Sequence, residues 1–209
     1  MLKSEPEYPP RRHLEADIEK MYAVVRAFPF ATLVSNNGGD VCVTHAPLTI
    51  DRSRGAFGVL FGHMDKFNPH LAVLDEQKVL AIFHGPNGYI TPHVYRSKQL
   101  PTWNSISVHV RGTVTRLATQ EETIAGLMGI CEQVDQGVGA YRLNADDERI
   151  PSLINFIEGF EITIEEMIGR FKLSQDRNDD DRKRANEELA RQSELGSRSL
   201  IEFVTSSEG

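Results

Sequence analysis

Residues 105–117 place the strongest constraint on the fold, because the two sides of this segment are chemically opposite. Ile106, Val108, Val110 and Val114 share one parity, while Ser107, His109, Arg111, Thr113 and Thr115 share the other. A β-strand sends alternate side chains to opposite faces, so the segment reads as a strand with one apolar and one polar face, His109 and Arg111 lying on the same side. Such a strand needs partners, and the chain supplies them. Residues 30–35 form another β-rich run that ends at Asn36-Asn37-Gly38-Gly39, a hairpin signal, and 41–50 is expected to pair back on it. Further β-rich runs stand at 56–62, 79–84, 89–96 and 160–168, separated by glycine, proline and asparagine. Strands spaced in this way predict a closed or half-closed barrel.

Helical patterning is peripheral to this β framework. Leu14, Ile18, Met21, Tyr22 and Val25 form one stripe of a helix over 13–27, which Pro29 stops. Helices are also predicted at 69–76, 119–136 and 151–157, the second entered through Thr119-Gln-Glu-Glu122, a capping pattern. Beyond Asp176 charged and polar residues dominate, which reads as a polar helix with a frayed tail. The economical description is a mainly β (α+β) domain over 1–177 and a polar C-terminal helix or tail over 178–209.

Composition excludes several classes. With 209 residues, 40% of them hydrophobic and 25% charged, the chain can bury a real core. The apolar run 57–61 contains a glycine and falls far short of the ~20 residues of a membrane span. Residues 1–12 carry Pro6, Pro9 and Pro10 in place of an apolar signal core. Cys42 and Cys131 lack any metal or disulfide spacing and read as plain thiols of a reduced compartment, so a cytoplasmic location is expected. A net charge of −7 argues against nucleic acid as a partner, since that affinity comes largely from lysine and arginine. Arg182-Lys183-Arg184 lies among acidic residues and reads as a solvated helical face.

Six of the seven histidines, His45, His63, His70, His84, His93 and His109, fall within one β-rich stretch. No HExxH, cysteine pair, nucleophile elbow, P-loop or GxGxxG accompanies them, so the chemistry points to a borrowed cofactor. His45, between Val43 and Pro47, reads either as a buried strand imidazole or as a functional one. His63 is expected at a strand end, after Gly62 and before the loop 64–69, where the glycine admits a ring and the imidazole can serve as an axial ligand to a haem iron. Lys66 is the nearest general base or anion contact. Trp103, with Thr102 and Asn104 beside it, suits either core or interface filling or stacking on a planar cofactor. The turn-dense run 85–88, followed by Tyr95-Arg96-Ser97-Lys98, and the segment Phe171-Lys172-Leu173-Ser174-Gln175 are both candidates for anion contacts.

Several strings occur together: Phe28-Pro-Phe-Ala-Thr-Leu33, Thr44-His-Ala-Pro47, Gly62-His63 with Asn68-Pro69, Phe83-His-Gly-Pro86, Pro101-Thr-Trp-Asn104, Val108-His-Val-Arg-Gly112 and Phe171-Lys-Leu-Ser-Gln175. In this order they resemble the PaiB-like family of FMN-binding negative transcriptional regulators. The resemblance implies an FMN-binding split β-barrel with peripheral helices, as a homodimer with cofactor sites at the subunit interface. Val43-Thr-His-Ala-Pro47, Gly62-His-Met64, Asn68-Pro-His70, Val94-Tyr-Arg96 and Val108-His-Val-Arg111 are similar to one branch of it, the piperazate synthases. That branch binds haem b in place of flavin and closes a nitrogen–nitrogen bond, converting N5-hydroxy-L-ornithine, an N-hydroxylated diamino acid, to piperazic acid. Carried over, His63 becomes the axial iron ligand. Lys66, His45 and Arg96 become catalytic candidates, with Lys66 as base and Arg96 or Arg111 as carboxylate anchor. Trp103, Asn104, Arg111, Lys172, Ser174 and Gln175 join His63 as cofactor contacts. FMN is the alternative cofactor.

Overall fold

The computed structural model describes residues 9–206, with side chains as far as 193. The reading of the first twelve residues therefore falls mostly outside the described residues, as does the end of the C-terminal tail. In chain order the elements are β1 (Leu14–Glu15), α1 (Ile18–Ala27), β2 (Phe30–Asn37), β3 (Asp40–Asp51), β4 (Val59–Asp65), β5 (Lys78–Ile90), β6 (Thr102–Arg116), α2 (Gln120–Val134), α3 (Ile150–Leu153), β7 (Ile157–Lys172) and α4 (Asp179–Ser206). Short 3₁₀ turns occupy Arg11–His13, Pro69–Val73 and Pro92–Val94. No described helix is long and apolar enough to cross a membrane.

The strands form one sheet in the order β1-β7-β4-β3-β2-β5-β6, and a further β7–β6 pairing closes six of them into a ring with β1 appended to β7. Asn37 and Asp40 pair across the Gly38-Gly39 turn, where both glycines have positive φ, so β3 returns on β2 as the hairpin signal predicts. The alternation of β6 also holds: Val108, Val110 and Val114 are fully buried, whereas Arg111 is exposed.

Four expectations need correction. The helix expected at 69–76 is a 3₁₀ turn over Pro69–Val73, and the one expected at 151–157 is a single turn, Ile150–Leu153, with Ile157 already in β7. The runs at 79–84 and 89–96 are not two strands around a turn; β5 continues through Gly85-Pro-Asn-Gly88 to Ile90, and 92–94 is a 3₁₀ turn. Gly85 serves close approach here, since a Cβ at this position would meet the Ile106 side chain at 3.1 Å. The first helix starts at Ile18, not at 13, because Asp17 accepts the backbone N–H of Glu19 and caps it while 11–13 forms the 3₁₀ turn.

Contacts divide the chain into two compact units, one of residues 17–83 and 108–168, the other of 1–16, 84–107 and 169–209. The core of the first is built from Leu33, Leu48, Leu60, Ala81, Phe83, Val108, Val110, Val114, Phe160 and Ile162, all at 0% exposure. α2 begins with the predicted capping box, the Thr119 hydroxyl accepting from the Glu122 backbone and the Glu122 carboxylate accepting from the Thr119 N–H.

The second unit buries Ile90, Tyr95, Ala185 and Leu189 together, with Val94 and Leu173 packed against them. The basic run of α4 is neutralised along its own helix, Arg182 pairing with Asp179, Arg184 with Asp180 and Lys183 with Glu187. Asp181 is fully buried and accepts from the backbone N–H groups of Arg96 and Ser97, the Ser97 hydroxyl and the Asn178 amide. These bonds, the Ser97 hydroxyl foremost, hold the carboxyl below the usual aspartate range. A carboxyl with a depressed native pKa stabilises the fold above its unfolded pKa near ~4 and loses that contribution as pH falls through the native value. Acid unfolding monitored by circular dichroism should therefore begin at higher pH than in Asp181→Asn controls matched for stability at pH 7.

Candidate functional site

β4 alternates between an inward row, Leu60, Gly62 and Met64, all buried, and an outward row, Phe61, His63 and Asp65. His63 is thus inside the strand, paired with Gly159 of β7, and not at a strand end as expected; pairing extends two residues beyond it to Asp65↔Ile157. Gly62 does admit a ring, but the ring belongs to Phe160: a Cβ on Gly62 would lie 2.7 Å from Phe160 Cζ and 2.5 Å from Leu48 Cδ2. The ring that this glycine accommodates is part of the core.

The outward row lies beneath α2. Gly126 of the helix rests on the Phe61 ring, so closely that a Cβ there would overlap it. Gln133 clasps the strand below, its amide donating to the Ile50 carbonyl and accepting the Ile50 N–H, both at 3.0 Å. At the other end of the helix Thr123 accepts the Gly159 N–H at 3.3 Å. The helix leaves a cleft on either flank. One of about 540 Å³ is lined by Phe61, Gly126, Gln133 and Leu117 among others. The second, about 250 Å³, is lined by Lys66, Arg116, Thr123, Glu158 and again Leu117. Leu117 also packs on Gly159, the residue paired with His63.

His63 is half-buried, and its Nδ1 is buried without a hydrogen-bond partner. Desolvation lowers its pKa below the ordinary imidazole value, so the ring is neutral at pH 7, the form that binds metal ions. Burying such a nitrogen unpaired costs about 1–3 kcal/mol, which a bond to a ligand would recover. Lys66 follows directly after β4. Its backbone N–H donates to the Phe156 carbonyl and its ammonium reaches the Ile154 carbonyl at 3.4 Å. Arg116 beside it is paired with Glu158, leaving Lys66 as the cation of the smaller cleft that no described carboxylate holds.

The loop that carries Lys66 is pinned by a buried polar network absent from the sequence reading. His70 bonds Ser35 Oγ at 2.8 Å and Thr44 Oγ1 at 2.9 Å, and Asn68 donates to Thr44 and accepts the His70 N–H. This imidazole is structural, and burial lowers its pKa as well.

His45 is exposed and stacks on Phe30 at 6.1 Å between centroids, so the buried-imidazole reading fails. The cause is parity, for Val41, Val43 and His45 share the outward side of β3, where Val41 and Val43 are 65% and 52% exposed. Arg111 pairs with Glu166 at 3.3 Å and lines a third cleft with Lys78, Val34, Val41 and Leu80.

The remaining candidates belong to the second unit. Arg96 is exposed and pairs with Asp180 at 3.1 Å. Trp103 is 54% exposed, which removes the core-filling reading. The Pro101–Asn104 and Phe171–Gln175 strings do come together: Lys172 donates to Thr102 Oγ1 at 2.6 Å, and the Asn104 amide and Ser174 hydroxyl satisfy each other in a fully buried pair. Gln175 closes its own turn, accepting the Leu173 N–H and donating to the Phe171 carbonyl. Asn104, Ser174 and Gln175 thus hold the turn, and Lys172 is the member with charge to offer a ligand.

Comparison with known proteins agrees with this architecture. The chain is 26% identical over 207 residues to the protease synthase and sporulation protein PAI 2 of Bacillus subtilis, covering 94% of this chain and 96% of that one. Among solved structures it is similar to the FAD and haem-binding protein of Mycobacterium smegmatis (TM-score 0.60, 15% identity, 83% of this chain and 80% of that one). It is also similar to the flavocytochrome Anf3 of Azotobacter vinelandii (TM-score 0.59, 16% identity, 85% and 79%). These likenesses establish the split-barrel fold. The model of the family described as "Putative FMN-binding domain" matches residues 7–166, and on that match, with PAI 2 aligned over nearly its whole length, the chain belongs to this PaiB-like family.

Proposed function

We propose that the chain is a haem b-dependent enzyme that closes a nitrogen–nitrogen bond in an N-hydroxylated diamino acid, in the manner of a piperazate synthase. The observation that carries the reading is His63: a neutral, half-buried imidazole whose buried Nδ1 has no partner among the described residues, between Phe61 and Lys66, which line two clefts. Its donor chemistry would suit an iron ligand; Phe61 shares its outward row and Leu117 packs on Gly159, its partner across the strands. Haem held there by His63 would supply a Lewis-acidic iron able to polarise the N–O bond. The bond change needs no outside oxidant: an N–O bond breaks, water leaves, and an N–N bond forms at the cost of a proton from the attacking ammonium. We assign the uptake of that proton to Lys66, on the smaller cleft, a role that requires its amine in the neutral form; the loop network around His70 holds the segment that carries it. Arg111, His45 and Arg96 are candidates for orienting the substrate carboxylate and amine.

A second reading, an FMN-binding flavoprotein or flavin-linked regulator, is supported by the family description and by the flavin named in both structural relatives. We further propose a cytoplasmic homodimer whose second copy covers the outward face of β2 and β3, where Phe30, Val41 and Val43 are 64%, 65% and 52% exposed.

Titration with hemin should produce a Soret band that saturates near one haem per chain and is lost in His63→Ala. Saturable FMN binding together with His63-independent haem uptake would select the flavin reading. With haem retained, Lys66→Ala should lower kcat for N5-hydroxy-L-ornithine by about 10²-fold or more, the scale of a lost general base; unchanged turnover removes Lys66 from the chemistry. Val43→Asp should convert the dimer to monomer in sedimentation equilibrium, since a charge would be buried unpaired at the centre of the contact.

A further inference from the structure

The second unit carries a cationic cluster of which the cofactor reading includes Lys172 but not His13, Arg170 or Arg177. The 3₁₀ turn Arg11–His13 delivers His13 to β7, because the next residue, Leu14, pairs with Arg170. Arg170 and Lys172 lie on one side of β7, opposite buried Phe171. Ser174 then takes a left-handed conformation (φ 59°), and the Arg177 N–H returns to its carbonyl at 3.1 Å, folding Arg177 back toward the strand end.

Three side-chain nitrogens of this group, His13 Nδ1, Arg170 Nε and Arg177 Nε, are buried with no hydrogen-bond partner among the described residues, and His13 itself is only 6% exposed. The bonds that do form are to hydroxyls: Arg170 to Ser105 at 3.3 Å and Lys172 to Thr102 at 2.6 Å. Among the described residues, the carboxylate that bears on His13 and Lys172 is Asp176, which pairs with Arg177 at 3.2 Å. Arg12, Arg170 and Lys172 all act on His13 to keep it neutral after burial has done so first, and Arg170, Arg177 and Arg12 act on Lys172 in the same sense. In a chain of net charge −7, mutually repelling cations with orphaned donors are held together at a cost.

We propose that His13, Arg170, Lys172 and Arg177 form a binding site for an anionic oxygen group, a phosphate or a carboxylate. Two arginines, a lysine and an imidazole lie close enough to act on one another's charge, and an anion among them would satisfy the orphans and remove the repulsion at once. The inference does not rest on His63 or on haem; the group could belong to a free anion, to a cofactor phosphate or to a propionate.

The test uses sulfate as probe, since it does not titrate between pH 5 and 8. Followed by NMR of the His13 ring in the full chain, sulfate should saturate and raise the His13 pKa, because a bound anion favours imidazolium. Lys172→Gln should weaken sulfate at least tenfold and Lys172→Arg should retain it, with thermal melts confirming that both variants are folded. No sulfate-dependent change at His13, or equal affinity in Lys172→Gln, overturns the proposal. Given a sulfate response, tighter binding of FMN than riboflavin in the parent but not in Lys172→Gln assigns a cofactor phosphate. The same contrast between hemin and its dimethyl ester assigns a propionate, and neither contrast leaves a site for a free anion. A chain that takes up no haem yet binds sulfate fails the N–N bond reading alone.

Discussion

The pairing of β4 with β7, in register from Val59↔Thr163 to Asp65↔Ile157, is the constraint on which the candidate site depends. It joins segments about a hundred residues apart in sequence and sets a glycine on each side of the same pair of strands. Gly62 faces inward, where Leu48 and Phe160 fill the space its missing side chain leaves, and Gly159 faces outward beside Thr123 and Leu117. A shift of one residue would either turn His63 into the core or expose Phe160, depending on which strand slips, so the buried face enforces the register and the register places the imidazole. The backbone bond from Lys66 to Phe156 continues the same alignment past the strand end.

Local chemistry was legible in the sequence where its period or its cap is local. The parity of β6, the Asn-Asn-Gly-Gly hairpin and the Thr119–Glu122 box all appear as read, because each is decided by residues within a few positions of one another. What was not legible depends on distant partners. Gly85-Pro-Asn-Gly88 has the composition of a turn, but contact with Ile106 keeps it extended. His63 looks like a strand terminus until Gly159 and Ile157 are there to pair with it and its neighbour. Gly126 gives no signal that it will carry the weight of a helix on an aromatic ring.

The candidate residues show the same division. The motif strings that suggested a cofactor contact do meet, but the structure separates their members by what each already satisfies: Asn104 and Ser174 spend their hydrogen bonds on one another, while Lys172 has a hydroxyl and no carboxylate. His63 and His70 differ in the same respect. Both are desolvated and neutral, yet His70 has both nitrogens occupied and His63 leaves one without a partner. Burial alone would have ranked His70 above the half-buried His63; partner accounting distinguishes an anchor from a ligand.

The unit that bears the cationic cluster is assembled from three stretches of chain, 1–16, 84–107 and 169–209, whereas the other is drawn from two. During synthesis the second stretch emerges long before the third, so His13 and Thr102 must wait for Arg170, Lys172 and the helix that packs on Ile90 and Tyr95. That unit therefore completes after translation of the barrel strands that precede it, and its folding rate is set by closing long loops. A ribosome pausing between residues 107 and 169 would hold a nascent chain whose Ile90 and Tyr95 lack their helical cover, a state that chaperones recognise by its exposed apolar side chains.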